Sequence, residues 1–356
     1  MKLRIWRYDL QLAHRWTIAR GLEPGGPGGK TTSQVVFAEL TDNDGLVGLG
    51  EAAPSARYGE TTDAAVAFLE RVDANRLSFA DLASSLEYLR SLAPGQFAAK
   101  GALDVALLDG AARRGGRPLH THLGLGFAEN KHVTSFSIGI DTPEVITRKT
   151  RAAEAYPVLK LKLGSPHDRD NLAALRAAAP HKPVRVDANE AWKTKEIALQ
   201  NLEWLAQDGA IQFVEQPMPA SADLEDMVWL KARSPLPLMG DESYVSVKDV
   251  ERCAAAFHSV NVKLVKVGGV SPGFAALHAA RQAGLKTMLG CMIESSVLIS
   301  AAAHLADLTD YLDLDGNLLV TNDPFCGVKA DRGLLSFASA PDHLGLCVRP
   351  REMKRL

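Results

Sequence analysis

At 356 residues, with 46% hydrophobic and 23% charged side chains, the chain is too long for one small core and ordinary for a soluble globular protein. Its formal net charge of −2 leaves no electrostatic footprint for nucleic acid, and no apolar run is long enough to span a bilayer. Four scattered cysteines, Cys253, Cys291, Cys326 and Cys347, form no CxxC pair, which predicts a reduced, cytoplasmic protein without structural zinc or disulfides.

In chain order, residues 2–13 and 34–51 predict strands, the second region carrying an Asp44-Gly45 hairpin signal between apolar alternations. The N-terminus alternates like an edge strand and lacks the apolar core of a signal peptide. From about 61 to 125 the pattern turns helical, as in FAAKGALDVALLDGAARR. Between the first two strands lies GLEPGGPGGKTT (21–32), which superficially resembles a phosphate loop. The spacing fails because position 24 is Pro, and a strand-like segment follows where a phosphate-binding helix would have to begin. A mobile loop that orders when something binds is the reading that remains.

From about 132 the chain repeats strand–helix units. Strand candidates are TSFSIGI (134–140), VLKLKLG (158–164), PVRVDAN (183–189), IQFVEQP (211–217), LPLMGDE (236–242), VNVKLVK (260–266), KTMLGCM (286–292) and DYLDLDG (310–316). Eight parallel units predict closure into a barrel, with functional groups at the C-terminal strand ends. Residues after 320 are expected to fold back toward the N-terminal part.

Asp187, Glu215 and Asp241 each end one of these apolar runs, 28 and 26 residues apart. That rhythm puts three hard oxygen donors at the mouth of neighbouring strands, an arrangement that suits Mg²⁺, or Mn²⁺, better than zinc. Asn189, two residues beyond Asp187, is expected on the same face. Lys160 and Lys162 are alternate residues of one strand and share a face. If that face is the interior, like charge and desolvation are expected to lower a lysine pKa toward that of a general base. Lys263 lies on the sixth strand, across the barrel. Lys266, three residues on, is expected to point the other way. Asp313 and Asp315 repeat the alternation on the last strand and suit either a cationic substrate group or a cap beside Gly316.

Together, KLKLG, VDANEAW, VEQP, GDES and NVKLVKVGG resemble the enolase superfamily in its muconate-lactonizing-enzyme subgroup. The resemblance implies an α/β fold, a (β/α)7β modified TIM barrel with an N-terminal α+β capping domain. It divides the chain into a cap at 1–128 with a mobile specificity loop near 16–30, a catalytic barrel at 129–320, and a C-terminal segment at 321–356 that returns to the cap. It implies Asp187, Glu215 and Asp241 as Mg²⁺ ligands, Lys162 and Lys263 as opposed acid and base, and Lys160 as an aid to Lys162 and to substrate binding. Asp313-Leu314-Asp315 resembles the DxD signature of dipeptide epimerases, in which the aspartates hold the α-ammonium, and GCMIESS (290–296) is similar to their seventh-strand segment. Arg20 resembles the arginine that reads a glutamate side chain in the L-Ala-D/L-Glu-epimerizing members. Thr134, Asn189 and Met292 complete the substrate-binding candidates.

The implied activity is Mg²⁺-dependent 1,1-proton transfer at the α-carbon of a dipeptide's C-terminal residue, through an enediolate, by a homo-oligomer. An o-succinylbenzoate synthase, N-acylamino-acid racemase or cycloisomerase of the same subgroup is the alternative. Asp313 and Asp315 discriminate, since anionic or N-acylated substrates have no use for them.

Overall fold

The computed structural model describes residues 1–23, 28–340 and 342–351. The centre of the glycine-rich loop, expected to order when something binds, lies outside them.

The first three strands, β1 (Lys2–Trp16), β2 (Lys30–Thr41) and β3 (Val47–Ala52), form an antiparallel sheet in that order. The β2–β3 turn is built as its sequence requires. Asp42 Oδ1 accepts the N–H groups of Asp44 and Leu46, each at 2.9 Å, and Gly45 takes φ +82°. The helical stretch resolves into Thr62–Leu69, Leu82–Ser91 and Phe97–Arg114. The last of these lies against β3, where Gly48 and Gly50 let its backbone come close: a Cβ on either would overlap the Ala106 or Ala102 carbonyl. Glu60 starts this helix by accepting the N–H groups of Phe97 and Ala98. Inside it, buried Asp109 accepts from Leu49 N (2.9 Å) and Leu346 N (2.8 Å) and pairs with Arg113. One carboxylate thus joins helix, sheet and C-terminal segment.

Eight parallel strands follow: β4 (Phe136–Ile138), β5 (Leu159–Lys162), β6 (Val184–Asp187), β7 (Ile211–Glu215), β8 (Leu238–Gly240), β9 (Ser259–Lys263), β10 (Lys286–Gly290) and β11 (Tyr311–Asp313). They are hydrogen-bonded in sequence order, and the two ends meet at the parallel bridge between Thr134 and Leu312. Each of the seven intervals between these strands is covered by helix. After β11 the described residues contain no α-helix, only the 3-10 turn Gly316–Leu319 and short strands, so the fold is (β/α)7β rather than eightfold. Phe213, Met239 and Met288, packed with Tyr311, fill the floor of the barrel. Every second residue points inward, so Arg185, Phe213 and Met239 lie one step below Asp187, Glu215 and Asp241.

The C-terminal part runs back along β1, where Thr321 N donates to Gln11 O and Asn322 bonds both Tyr8 and Asp9. Phe325 packs edge-on against Phe37 of the cap sheet at 4.9 Å.

One expectation fails here. VNVKLVK is not a single strand: β9 ends at Lys263, and Leu264–Val267 form a helical turn. A helix advances a side chain by about 100° per residue, so alternation no longer tells where Lys266 points.

Candidate active site

Asp187, Glu215 and Asp241 stand at the ends of β6, β7 and β8, all buried, each offering an oxygen within 4.8 Å of the others. Lys162 is in register with Asp187 on the neighbouring strand, its Nζ 2.5 Å from Oδ2. Lys160 lies one layer deeper. Its Nζ is 2.7 Å from Glu215 Oε2, 2.7 Å from Asp313 Oδ2 and 3.3 Å from Asp187 Oδ2. Lys263 approaches from β9, with Nζ 2.8 Å from Asp241 Oδ2. β5 and β9 are four positions apart in the eight-strand ring, so Lys162 and Lys263 face the cluster from opposite sides.

Two side chains that alternation did not single out hold the carboxylates in place. Lys266 has no exposed side-chain surface. Its Nζ bonds Asp241 Oδ1 (2.5 Å), the Asp241 carbonyl (2.5 Å) and the Asn261 carbonyl (3.0 Å). Asn261 donates to Glu215 Oε1 at 2.9 Å. The helical turn after Lys263 rotates Lys266 back to the same carboxylate. The only signal in the sequence was a second lysine in NVKLVKVGG.

Electrostatics follow from this pairing. Burial pushes Asp187 up, but the Lys162 and Lys160 ammonium groups outweigh it and hold the carboxyl at about 2. Asp241 is likewise driven well below the carboxylate range, with Lys263 and Lys266 overcoming burial. Glu215 goes the other way: burial, then repulsion from Asp187, push it up to about 7. The expected lowering of a lysine pKa is not found at Lys160, and Lys263 is raised as well. Burial acts in that direction, but Asp313, Glu215 and Asp187 raise Lys160, and Asp241 raises Lys263. Opposite charges within hydrogen-bonding distance prevail over the like charge on the same strand.

The donor set fits a hard divalent cation. All three groups are carboxylates. They are buried together, and repulsion from Asp187 and Asp241 pushes Glu215 up, an excess of negative charge that a bound cation would relieve.

Asp313 ends β11, across the barrel from β7, whereas Asp315 lies past the strand at the start of the 3-10 turn, so strand alternation does not govern it. Asp313 Oδ1 accepts from Ser135 Oγ (2.7 Å), and Oδ2 takes Lys160. Asp315 Oδ2 accepts Ser137 N–H at 2.6 Å, and burial followed by Asp313 push its carboxyl up to about 7. This side of the barrel mouth thus offers one paired and one protonatable acid.

Thr134 does not join this group. Its hydroxyl accepts Leu314 N–H (2.7 Å) and donates to the Ser135 carbonyl (3.2 Å), with no exposed surface. The side chains facing Asp313 are the alternate residues Ser135 and Ser137, so the candidate was one position off in register. Asn189 lies past the end of β6 in a left-handed conformation, φ 44°, so strand alternation does not govern it. Its N–H donates to Asp187 Oδ1 (2.9 Å), and its own buried Oδ1 has no hydrogen-bond partner among the described residues. Met292 is half-buried just past β10, where its N–H donates to Glu294 Oε1 at 2.9 Å.

Arg20 reaches the barrel mouth from the cap. Its Nη1 lies 2.5 Å from Glu242 Oε1 and 3.0 Å from Glu190 Oε2. Glu190 also takes both Nε and Nη2 of Arg57 at 2.7 Å. These two glutamates, in VDANEAW and GDES, were legible as motif neighbours of metal-site candidates but not as partners of residue 20.

Residues 145–329 match the family model described as enolase C-terminal domain-like, and residues 27–124 match the mandelate racemase / muconate lactonizing enzyme N-terminal domain. The chain is 62% identical over 351 residues to an L-Ala-D/L-amino acid epimerase of Pedosphaera parvula, covering 99% of this chain and 100% of that protein. It is similar to a dipeptide epimerase structure from Enterococcus faecalis complexed with Mg and L-Leu-L-Tyr (TM-score 0.86, 27% identity, 97% and 98% of the two chains). A dipeptide epimerase from Cytophaga hutchinsonii complexed with Mg and D-Ala-L-Val superposes with TM-score 0.88 at 25% identity, over 99% and 96% of the chains.

Proposed function

The chain belongs to the mandelate racemase / muconate lactonizing enzyme family of the enolase superfamily, and on that footing we propose that it is a Mg²⁺-dependent dipeptide epimerase. It is an isomerase. The observation that carries the reading is the placement of Lys162 and Lys263 on opposite sides of one buried carboxylate cluster.

An α-proton beside a carboxylate is weakly acidic because its loss leaves a dianionic enediolate. A divalent cation held by Asp187, Glu215 and Asp241 would supply Lewis-acid stabilisation of that charge. Lys160, fully buried and protonated, adds a fixed positive charge nearby. Lys162 and Lys263 exchange roles with direction. One, as the neutral amine, takes the proton from its face; the other, as the ammonium, returns a proton to the opposite face, and a cation on Asp241 would offset the carboxylate charge that otherwise holds Lys263 protonated. Asp313 and Asp315, across the ring from β7, hold the substrate's α-ammonium. A cytoplasmic setting and a homo-oligomeric state belong to the same reading.

The test is α-deuterium incorporation and epimerisation of L-Ala-containing dipeptides in heavy water. Replacement of either lysine by alanine should lower epimerisation by about 10²–10⁴-fold, with residual exchange confined to the epimer whose α-proton faces the remaining lysine. Turnover of N-succinyl amino acids without any dipeptide activity would favour the racemase alternative. Unchanged exchange in Lys162→Ala would overturn the two-lysine assignment.

A further inference from the structure

Arg20, which reaches the mouth of the barrel from the cap, is already paired. Arg20 is bonded to Glu242 and Glu190, Arg57 is bidentate on Glu190, and Lys193 pairs with Glu23 at 2.6 Å. In these pairs three cations meet three carboxylates. The glutamates cannot swing away into water. The Glu242 side chain is 1% exposed and that of Glu190 8%, and Glu190 is also anchored by Ala220 N–H at 2.8 Å. Glu190 is set by two consecutive left-handed residues, Asn189 at φ 44° and Glu190 at φ 69°, and its N–H is tied to Gln216 O at 2.9 Å. Backbone of this kind persists only where its surroundings hold it.

The position of this group relates it to the substrate. Glu190 follows β6 and Glu242 follows β8, flanking β7, while Asp313 ends β11, the strand opposite β7 in the ring, and Asp315 follows it. With the carboxylate over the cluster, the ammonium end toward β11 and the α-proton on the line between Lys162 and Lys263, the remaining α-substituent points away from the filled barrel floor, toward the cap from which Arg20 reaches. That geometry rests on the dipeptide reading above.

We propose that Glu242 and Glu190 neutralise Arg20 and so select dipeptides whose C-terminal side chain is uncharged, against acidic ones. A glutamate side chain entering there has to displace a buried carboxylate from Arg20 or lie beside it unpaired, and both are unfavourable. A neutral side chain leaves every ion pair intact.

L-Ala-L-Glu and its isosteric neutral counterpart L-Ala-L-Gln separate charge from shape. The wild-type protein, loaded with Mg²⁺, should epimerise the glutamine dipeptide with kcat/KM at least tenfold above the glutamate dipeptide. Glu242→Gln should shift that ratio at least tenfold toward glutamate, and Glu190→Gln in the same direction, which keeps the test intact if one variant fails to fold. A wild-type preference for L-Ala-L-Glu, or an unchanged ratio in both variants, would overturn the inference while leaving the dipeptide reading in place. Absence of α-exchange in every dipeptide tried would overturn both.

Discussion

Lys263 and Lys266 converge on the two oxygens of one carboxylate: Lys263 Nζ lies 2.8 Å from Asp241 Oδ2 and Lys266 Nζ 2.5 Å from Oδ1. Only the first is placed to meet a substrate; the second, wholly buried, sets the orientation of Asp241. Lys266→Met leaves a buried carboxylate and two backbone carbonyls short of a donor, which should cost about 3–5 kcal/mol of stability in chelator. Saturating Mg²⁺ should recover part of that loss, because a cation bound only by the folded state stabilises it by mass action. Thermal unfolding with EDTA and with Mg²⁺ measures both. An equal Tm deficit in the two conditions would show that Lys266 has no connection with the cation site.

Asp313 and Asp315 should differ on mutation, although both lie in one DxD signature. Asp315 bonds a backbone N–H, whereas Asp313 is a direct partner of Lys160. Losing one charge-assisted hydrogen bond to a substrate ammonium corresponds to about 1.5–3 kcal/mol, or roughly 10–150-fold in KM. Asp315→Asn should therefore act chiefly on KM for dipeptides. Asp313→Asn should also lower kcat, because it disturbs Lys160 beside the reacting carboxylate. Steady-state kinetics on one dipeptide decide, and identical effects on kcat would contradict the distinction.

His304 provides a stability prediction far from the chemistry. It has no exposed surface, stacks on Phe337 at 4.4 Å and accepts His120 N–H through Nδ1 at 3.3 Å. Burial, then the neighbouring His120, lower its pKa to about 3 from the usual 6.5. The unfolded chain binds this proton first. The contribution to stability is therefore complete above pH 6.5 and is lost as pH falls toward 3. Relative to His304→Asn, the wild type should lose up to about 1.4 kcal/mol per pH unit below 6.5. Denaturant unfolding at pH 7.5, 6 and 5 gives the slope; a constant difference would mean that His304 charges in the folded state.

Gly50 should tolerate no side chain. Its missing Cβ is the space occupied by the Ala102 carbonyl of the helix Phe97–Arg114. Gly50→Ala has to push helix and sheet apart, at about 1–3 kcal/mol. At Gly59, which has open space but φ +71°, alanine should cost less, about 1 kcal/mol, through backbone strain alone. Chemical denaturation of the two variants provides the comparison.

The legible parts of this protein were those governed by short periods. Alternation along β5 placed Lys160 and Lys162 on one inward face, and the spacing of apolar runs brought Asp187, Glu215 and Asp241 to one end of three adjacent strands. The same reasoning misdirected Lys266, because it assumed the strand period across a boundary where the chain becomes helical. Thr134 illustrates a related limit: a shift of one residue exchanges the inward and outward faces, and the bridge to Leu312 puts Ser135 rather than Thr134 against Asp313.

From the sequence alone, local rules determined the barrel, its eight strands and the end of it that carries the chemistry. They did so because pleat and strand–helix repeat are properties of neighbouring residues. The direction in which Lys160 and Lys263 are shifted, the second hold on Asp241, and the closure of Arg20 by Glu190 and Glu242 were decided only in three dimensions. Charges interact through space, and Arg20 lies 170 residues from one of its partners and 222 from the other.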